Sequence, residues 1–334
     1  MILIHKAASR MNIRRLQQTG GKDGSSFLII LPKEWVVRQS LKKGDPVVVS
    51  EREDGCLIID PRLPKAGERR TTTVSIHSNL RWSITSKYLL GFDEIRIVSE
   101  TPITNSQREE LTMIIKRFVA LEVTDENDYE LVVQCLVDPS TIPVNKAMKR
   151  MNLIATRMLK DALTAYYTGN KVLAEEVQQR DEEVDRLFFL IVRELRSAIQ
   201  YPSISEKMNI KPVEALDFRL AVQYIERIAD LAVDIASHTR EPVSQSLVNR
   251  IDPLAERVRE MLTRSVANLF KFEPEKVSWV MEAEKGLQRD AARLREMLIK
   301  NPSPSSQAHL LVIDSLQKIG EAAKDIVDLA LPQE

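Results

Sequence analysis

Two acidic pairs in the second half of the chain have residue types and a spacing suited to metal binding. Asp181 and Asp185 lie four residues apart in DEEVD, and Glu226 and Asp230 have the same spacing in ERIAD. Side chains four residues apart share one face of a helix, so each pair presents two carboxylates in one direction. Two such helices facing each other offer hard oxygen ligands, which suit Mg, Mn or Fe. No Cys or His lies within either motif, which disfavours zinc.

The same carboxylates also have an ordinary structural explanation. Acidic pairs on amphipathic helices are commonly solvated, and an arginine directly follows both Asp185 and Glu226. Exposed ion pairs with such neighbours are frequent on helix surfaces and carry no function. Metal ligands and a solvated acidic face therefore both remain open at this point.

The elements that carry these pairs are predicted to be six helices in two related sets. Apolar residues recur with a helical period beyond residue 141, and Gly or Pro breaks separate the segments. A segment of the third helix, IERIADLAVDIA, is repeated in the sixth as LQKIGEAAKDIV. The sequence therefore predicts an all-α six-helix bundle over residues 141–334, made of two three-helix repeats at about 145–240 and 245–331. The predicted helices are 145–167, 171–200, 212–240, 245–270, 275–300 and 306–331.

The second repeat departs from the acidic pattern. An alignment without a gap matches the four carboxylates, in order, to Met281, Lys285, Gln317 and Glu321. A thioether and an ammonium group in place of two carboxylates remove charge that a hard cation needs. We therefore expect metal binding, with Fe, Mn or Mg as candidates, at the first repeat alone.

Three segments of the bundle, DEEVDRL, RMLKDAL and YIERIADLAVDIA, resemble the PhoU family of phosphate-uptake regulators. The resemblance covers about residues 145–330. It implies that acidic motifs on the bundle surface hold iron or other metals. It also implies a regulatory role, with a phosphate transporter or a signalling protein as a partner. The ligand candidates carried over from the family are Asp181, Asp185, Glu226 and Asp230.

The first sixty residues have the pattern of a small, basic β-rich domain. Short strands are predicted at 13–16, 27–31, 47–50 and 57–59, with a helix at 33–39. Residues 1–62 contain eleven Lys and Arg against seven Asp and Glu, although the whole chain has 48 of each. The excess of basic residues favours an anionic partner.

This segment resembles the AbrB/SpoVT family of swapped-hairpin DNA-binding domains. The matching stretches are RRLQQTGG, SSFLIILPKEWV, LKKGDPVVV and DGCLIIDP. The resemblance implies a swapped-hairpin β-barrel over residues 1–62, built by two interleaved chains, because one copy buries too little surface alone. It also implies DNA as a partner, while a dimerisation domain without DNA binding is the alternative. The candidate DNA contacts are Arg10, Arg14, Arg15, Lys22, Lys33 and Arg38.

Residues 63–140 are predicted to form a small α+β domain. Strands are expected at 72–77, 94–98, 122–124 and 131–137, and helices at 80–90 and 105–119. No constellation in this segment carries recognisable chemistry, so a spacer or regulatory role is the interpretation.

Several classes of function are disfavoured by what the chain lacks. It has no Gly-rich phosphate loop, no zinc-spaced Cys/His set and no nucleophile with a matching base, so we expect no enzyme. The apolar runs are shorter than the roughly 20 residues of a membrane span, and the two cysteines have no CxxC spacing, which favours a cytoplasmic protein. The expected function is a PhoU-like regulator of phosphate uptake that binds DNA. The alternative is an adaptor whose bundle binds a transporter or signalling partner while the N-terminal domain only dimerises.

Overall fold

A computed structural model describes residues 13–19, 26–51, 55–61, 69–76, 79–136 and 142–332. The chain divides into two compact units, residues 1–68 and 69–334. The second unit contains a small α+β part followed by the helical bundle. None of the helices within these described ranges is long and apolar enough to cross a membrane.

The described residues of the N-terminal unit form two antiparallel hairpins and one short helix. Strand β1 (Gln17–Thr19) pairs with β2 (Ser26–Leu28), and β3 (Val48–Glu51) pairs with β4 (Leu57–Asp60). Helix α1 (Lys33–Arg38) lies between them in sequence. The predicted helix and last two strands are confirmed, whereas the first strand follows the predicted segment 13–16 instead of occupying it. The swapped-hairpin barrel remains a prediction.

No residue in the described part of this unit is buried. A single two-stranded hairpin is marginally stable at best in water, because it has no second layer to cover its apolar face. Large apolar side chains are exposed throughout the unit. They are Ile13, Leu16, Phe27, Leu28, Ile29, Ile30, Val37, Val49 and Leu57.

The α+β part is one four-stranded sheet with two helices. Its elements are β5 (Thr71–Ser75), α2 (Leu80–Leu89), β6 (Glu94–Val98), α3 (Asn105–Ile115), β7 (Leu121–Glu126) and β8 (Glu130–Cys135). The strand order is β5-β6-β8-β7; β5 and β6 run parallel, and the other pairs are antiparallel. A parallel pair needs a crossover, which α2 supplies. All six elements agree with the predicted ones to within a few residues.

The bundle confirms the six predicted helices and adds a short one. Its helices are α4 (Val144–Thr168), α5 (Lys171–Gln200), α6 (Pro202–Met208), α7 (Pro212–Ser237), α8 (Gln245–Phe270), α9 (Pro274–Lys300) and α10 (Ser306–Asp328). Proline at the first position is compatible with helix initiation and explains the starts of α6, α7 and α9. One hydrophobic core runs through both sets of helices.

The repeated segments of α7 and α10 form matching parts of that core. Ala229 and Ala232 on α7, and Ala323 on α10, are fully buried, as are the isoleucines beside them. Small residues let helix backbones approach closely while branched side chains fill the remaining space. The sequence repeat is therefore also a repeat in packing.

Candidate functional site

The four candidate carboxylates lie on the two adjacent helices α5 and α7. Asn170 fixes the start of α5, because its side chain accepts a hydrogen bond from the Leu173 N–H at 3.1 Å. The start of α7 is fixed by Glu214, which accepts from the Lys211 N–H at 2.8 Å. Both helices are long, at 30 and 26 residues, so the acidic pairs lie well inside regular helix and keep their one-face spacing.

The two acidic pairs face each other closely enough to repel. Partial burial, and after it the charge of Asp230, raises the pKa of Asp181 to about 6. Burial and the charges of Asp230, Asp185 and Asp181 raise the pKa of Glu226 to about 7. The pKa values of Asp185 and Asp230 are also raised, chiefly by burial. Mutual repulsion between neighbouring carboxylates is the arrangement that a bound cation relieves.

Two of the four carboxylates have other partners. Asp185 Oδ2 accepts a hydrogen bond from Arg117 Nη2 at 3.1 Å, and this contact is an ion pair. Glu226 Oε2 accepts one from Gln223 Nε2 at 2.9 Å. Arg117 belongs to the α+β part, just beyond α3. The cluster is therefore in contact with a cation supplied by another part of the same unit.

The donor set fits a hard cation in charge and in atom type. Carboxylate oxygens are the ligands that Mg and Mn prefer, and four of them on two helices supply ample negative charge. Across the described residues, no three His, Cys, Asp or Glu side chains converge tightly enough to hold a metal ion. Closure on a cation therefore requires the side chains to move. As the side chains stand, Arg117 holds Asp185 Oδ2 and Gln223 holds Glu226 Oε2, so both contacts compete for a ligand oxygen.

The second repeat carries a hydrogen-bonded network at the corresponding place. Gln317 and Glu321 on α10 correspond to Glu226 and Asp230, and the α9 side chain that meets them is Gln288. Its Nε2 donates to Glu321 Oε1 at 3.1 Å and to Glu284 Oε1 at 3.0 Å, and its Oε1 accepts from Gln317.

This network changes the alignment of the two repeats. Lys285, which the ungapped alignment places opposite α10, instead makes an exposed ion pair with Glu282 on its own helix. Gln288 bonds to Glu321 and Gln317 on α10, and Glu284 bonds to Gln288 one turn earlier, so this pair takes the place assigned to Met281 and Lys285. The second site therefore has two carboxylates and two amides. Gln317 is only 6% exposed, and its Oε1 has no hydrogen-bond partner in the described structure.

Four of the six candidate DNA contacts lie in the described part of the N-terminal unit. Arg14 and Arg15 are in the extended segment before β1, and Lys33 and Arg38 are at the two ends of α1. All four are exposed, as phosphate contacts need to be. Arg10 and Lys22 lie outside the described residues.

Two arginines that join α5 to the α+β part, one of them at the acidic site, were not identified from the sequence. Arg117 follows α3 in an ordinary KRF segment that gives no signal. Arg193 interrupts the apolar stretch FFLIVREL, and it is 1% exposed. A charged residue within such a stretch is a usable signal, because buried charges need specific partners.

Comparisons with known proteins point to one family for part of the bundle. Residues 148–239, which run from within α4 to the end of α7, match the family model described as PhoU domain. A search of curated proteins gave no match.

Two solved structures resemble part of the chain. One is PhoU from Pseudomonas aeruginosa, at 17% identity and a TM-score of 0.42, covering 56% of this chain and 93% of that one. The other is the phosphate transport system regulatory protein PhoU from Streptococcus pneumoniae, at 14% identity and a TM-score of 0.45. The match covers 56% of this chain and 91% of that one.

Proposed function

We propose that this protein is a non-enzymatic regulator of phosphate uptake that binds DNA as a homodimer through its N-terminal unit. The observation that carries the proposal is the PhoU-domain match, which covers most of the first three-helix repeat and contains both acidic pairs. The repeat of the α7 sequence in α10 supports a related three-helix arrangement in α8 to α10, which lie outside the matched residues. Both cysteines carry thiols, which supports a cytoplasmic location.

The proposed metal site consists of Asp181, Asp185, Glu226 and Asp230, with Fe, Mn or Mg as the ion. Support comes from the electrostatics: burial first, and then the charges of neighbouring carboxylates, raise the pKa values of Asp181 and Glu226, and a divalent cation would neutralise part of that charge. When bound, the ion would supply this charge and fix the distance between α5 and α7. The bundle would in this way respond to the metal or to a ligand carried with it.

Dimerisation is supported by the composition of the N-terminal unit. Nine large apolar side chains are exposed, and no residue of its described part is buried. Burial of apolar surface against a second copy would supply the core that each chain lacks. Two copies would also bring two sets of Arg14, Arg15, Lys33 and Arg38 to one surface.

DNA binding is supported by those exposed cations together with the AbrB/SpoVT resemblance. Each phosphate that a cation neutralises releases counterions, so the affinity should fall steeply with salt. The target sequence, if one is read, depends on contacts at base edges.

The experiment that tests this function is a titration of full-length protein against its own promoter DNA at two salt concentrations. Random DNA serves as the competitor. Arg14→Ala combined with Arg15→Ala should weaken binding and flatten the salt dependence. Arg289→Ala combined with Arg293→Ala, which removes two exposed arginines from α9, should leave both unchanged. Binding no better than to random DNA would contradict the proposal.

The adaptor function is the second candidate, and one observation favours it. Val213, Leu216 and Leu220 are exposed along α7 at helical spacing, within the region that matches the PhoU domain. Such a stripe suits a protein partner, in this case a phosphate transporter or a signalling protein. If promoter binding fails, loss of partner capture by Leu216→Glu would establish the adaptor role.

A further inference from the structure

The α+β part contacts the bundle along one stripe of α5 that continues into the acidic site. Asp185, Phe189 and Arg193 follow one another at intervals of four residues and therefore share one face of the helix. Asp181 precedes them with the same spacing. Each of the three residues meets the α+β part, so that its docking surface and the acidic site are continuous.

Arg193 forms the fixed end of this contact. Its guanidinium group is buried and donates to the carbonyl oxygens of Tyr88 at 2.7 Å and Phe92 at 2.9 Å. It also donates to Asp93 Oδ1 at 3.1 Å. A buried, multiply bonded arginine is costly to displace, because its removal breaks three hydrogen bonds at once.

An aromatic contact forms the middle of the stripe. The ring of Phe118 packs edge-on against the ring of Phe189, with the ring centroids 5.2 Å apart. Phe118 also packs against Tyr88, with the ring centroids 4.6 Å apart. Phe118 follows Arg117 directly in the sequence. The position of Arg117 is therefore coupled to the packing of this aromatic group.

Arg117 forms the exchangeable end. Its side chain is 31% exposed and that of Asp185 is 30% exposed. One hydrogen bond joins them, and the guanidinium carbon lies 5.8 Å from the centre of the Phe189 ring. Partly exposed ion pairs of this kind contribute little to stability and exchange readily. The guanidinium keeps its charge at every physiological pH, so it is a permanent cation beside the acidic site.

We propose that Arg117 is an internal, exchangeable cation of the acidic site, and that a divalent cation bound there competes with it for Asp185. The inference rests on the metal site of the proposed function and adds its regulation. Metal binding would break the Arg117–Asp185 contact and so release the α3 end of the α+β part from α5. The hydrogen bonds of Arg193 would stay in place at the other end. Because coupling between two binding events is reciprocal, a firmly docked Arg117 would in turn weaken metal binding.

This arrangement gives the α+β part a defined regulatory role. Occupation of the site by metal would be transmitted through one side chain to the segment around Phe118. The segment has two states, one with Arg117 on Asp185 and one without, and the ion selects between them. No large rearrangement of the bundle is needed.

The test is calorimetric titration of Mn²⁺ into metal-free full-length protein and two variants. Arg117→Gln removes the competing charge and should bind Mn²⁺ about tenfold more tightly, which is within the usual range for coupled sites. Arg108→Gln is the matched control, because Arg108 pairs with Glu126 at 3.0 Å near the other end of α3. It should bind Mn²⁺ as the parent protein does.

Hydrogen exchange gives a second readout that does not depend on affinity. In the parent protein, Mn²⁺ should speed exchange at the amides of Lys116, Arg117 and Phe118, which bond back into α3. In Arg117→Gln these amides should already exchange fast, and Mn²⁺ should change them little.

Each outcome decides a different part of the proposal. Equal Mn²⁺ affinity in all three proteins would overturn the role of Arg117 and leave the metal site standing. Absence of Mn²⁺ binding in all three would overturn both, while the DNA-binding part would still be tested by its own titration. Tighter binding in Arg117→Gln alone, with the change in exchange, would support the proposal.

Discussion

Gly320 on α10 lies so close to Leu287 on α9 that a Cβ atom at Gly320 would overlap with Leu287 Cδ2. Leu287 is fully buried, and Met261 on α8 closes the same space. Gly320 corresponds to Ala229 in the first repeat. The two repeats therefore use the same helix face, and in the second repeat a glycine stands where Leu287 approaches.

Gly320→Ala should destabilise the bundle despite the higher helix propensity of alanine. Overpacking a tight core typically costs about 1–3 kcal/mol, which exceeds the propensity gain of about 1 kcal/mol. Urea unfolding followed by circular dichroism measures the difference. Gly286→Ala is the control, since the nearest atom to its Cβ is the movable Arg257 Nη1 at 3.2 Å. If both substitutions stabilise equally, the close approach of α9 and α10 is contradicted.

Phe27→Glu should dissociate the proposed dimer. Phe27 is 66% exposed in the single chain, but a carboxylate placed in the apolar surface between two copies would lose its hydration. Sedimentation velocity should show a shift from dimer towards monomer. Leu153→Glu is the matched control, because Leu153 on α4 is 68% exposed and lies far along the sequence from the N-terminal unit. A dimer that survives Phe27→Glu would count against this interface.

The bundle could be predicted from sequence because its signals are local. Asn170 and Gly169 mark the start of α5, and helical periodicity continues to Gln200, so the predicted and observed bounds agree. Helix α6 was missed because seven residues are too few to show a period. The first strand was misplaced because pairing across a hairpin depends on its partner strand as well as on local propensity.

The candidate site could be predicted only in part. The one-face spacing of Asp181 and Asp185 is a local property of the helix, and the charge of Asp230 on α7 raises the pKa of Asp181 on α5 after the effect of burial. Arg117 could not be predicted, because it lies 68 residues from Asp185 and nothing in its neighbourhood indicates the contact. The partners of Gln317 were also missed, since the register of α9 against α10 is set by packing.

Without divalent cations, the acidic site should make stability fall as the pH rises. The pKa of Asp181 is raised from 3.8 to about 6, and that of Glu226 from 4.5 to about 7. The folded chain therefore holds these protons after the unfolded chain has lost them. The free energy of unfolding should fall from about pH 4 to about pH 7 through these two groups.

Urea unfolding at several pH values in the presence of a chelator measures this slope. Asp181→Asn combined with Glu226→Gln should flatten it, because neither replacement titrates. Glu282→Gln, which changes an exposed carboxylate on α9, should not. A slope that persists in the double variant would place its origin elsewhere.

Arg193→Met should destabilise the second unit strongly. The substitution removes the Arg193 donor from the carbonyl oxygens of Tyr88 and Phe92 and the charged partner from Asp93, which keeps the Arg70 N–H. Removing one partner from a buried polar group typically costs about 1–3 kcal/mol, and Arg193 serves two carbonyl oxygens and one carboxylate. Urea unfolding should show the loss, and Arg193→Lys should recover only part of it, since an ammonium lacks the planar fork. Arg196→Met, at an exposed position one turn later, should have little effect.

A second metal site should appear when the amides of the second repeat become carboxylates. Gln288 and Gln317 occupy the places that Asp185 and Glu226 have in the first repeat, and Glu284 and Glu321 already supply the other two. Gln288→Glu combined with Gln317→Glu therefore completes a set of four carboxylates, at some cost in stability from their repulsion. The measured quantity is the number of Mn²⁺ ions bound per chain.

That number should rise from one to two in the double variant. Gln245→Glu combined with Gln307→Glu adds the same charge at exposed positions outside the network and should leave the number unchanged, which separates a site from a general increase in negative charge. A folded double variant that still binds one ion would show that four facing carboxylates are not sufficient. In that case the orientation of α5 and α7 in the first repeat would have to supply what the second repeat lacks.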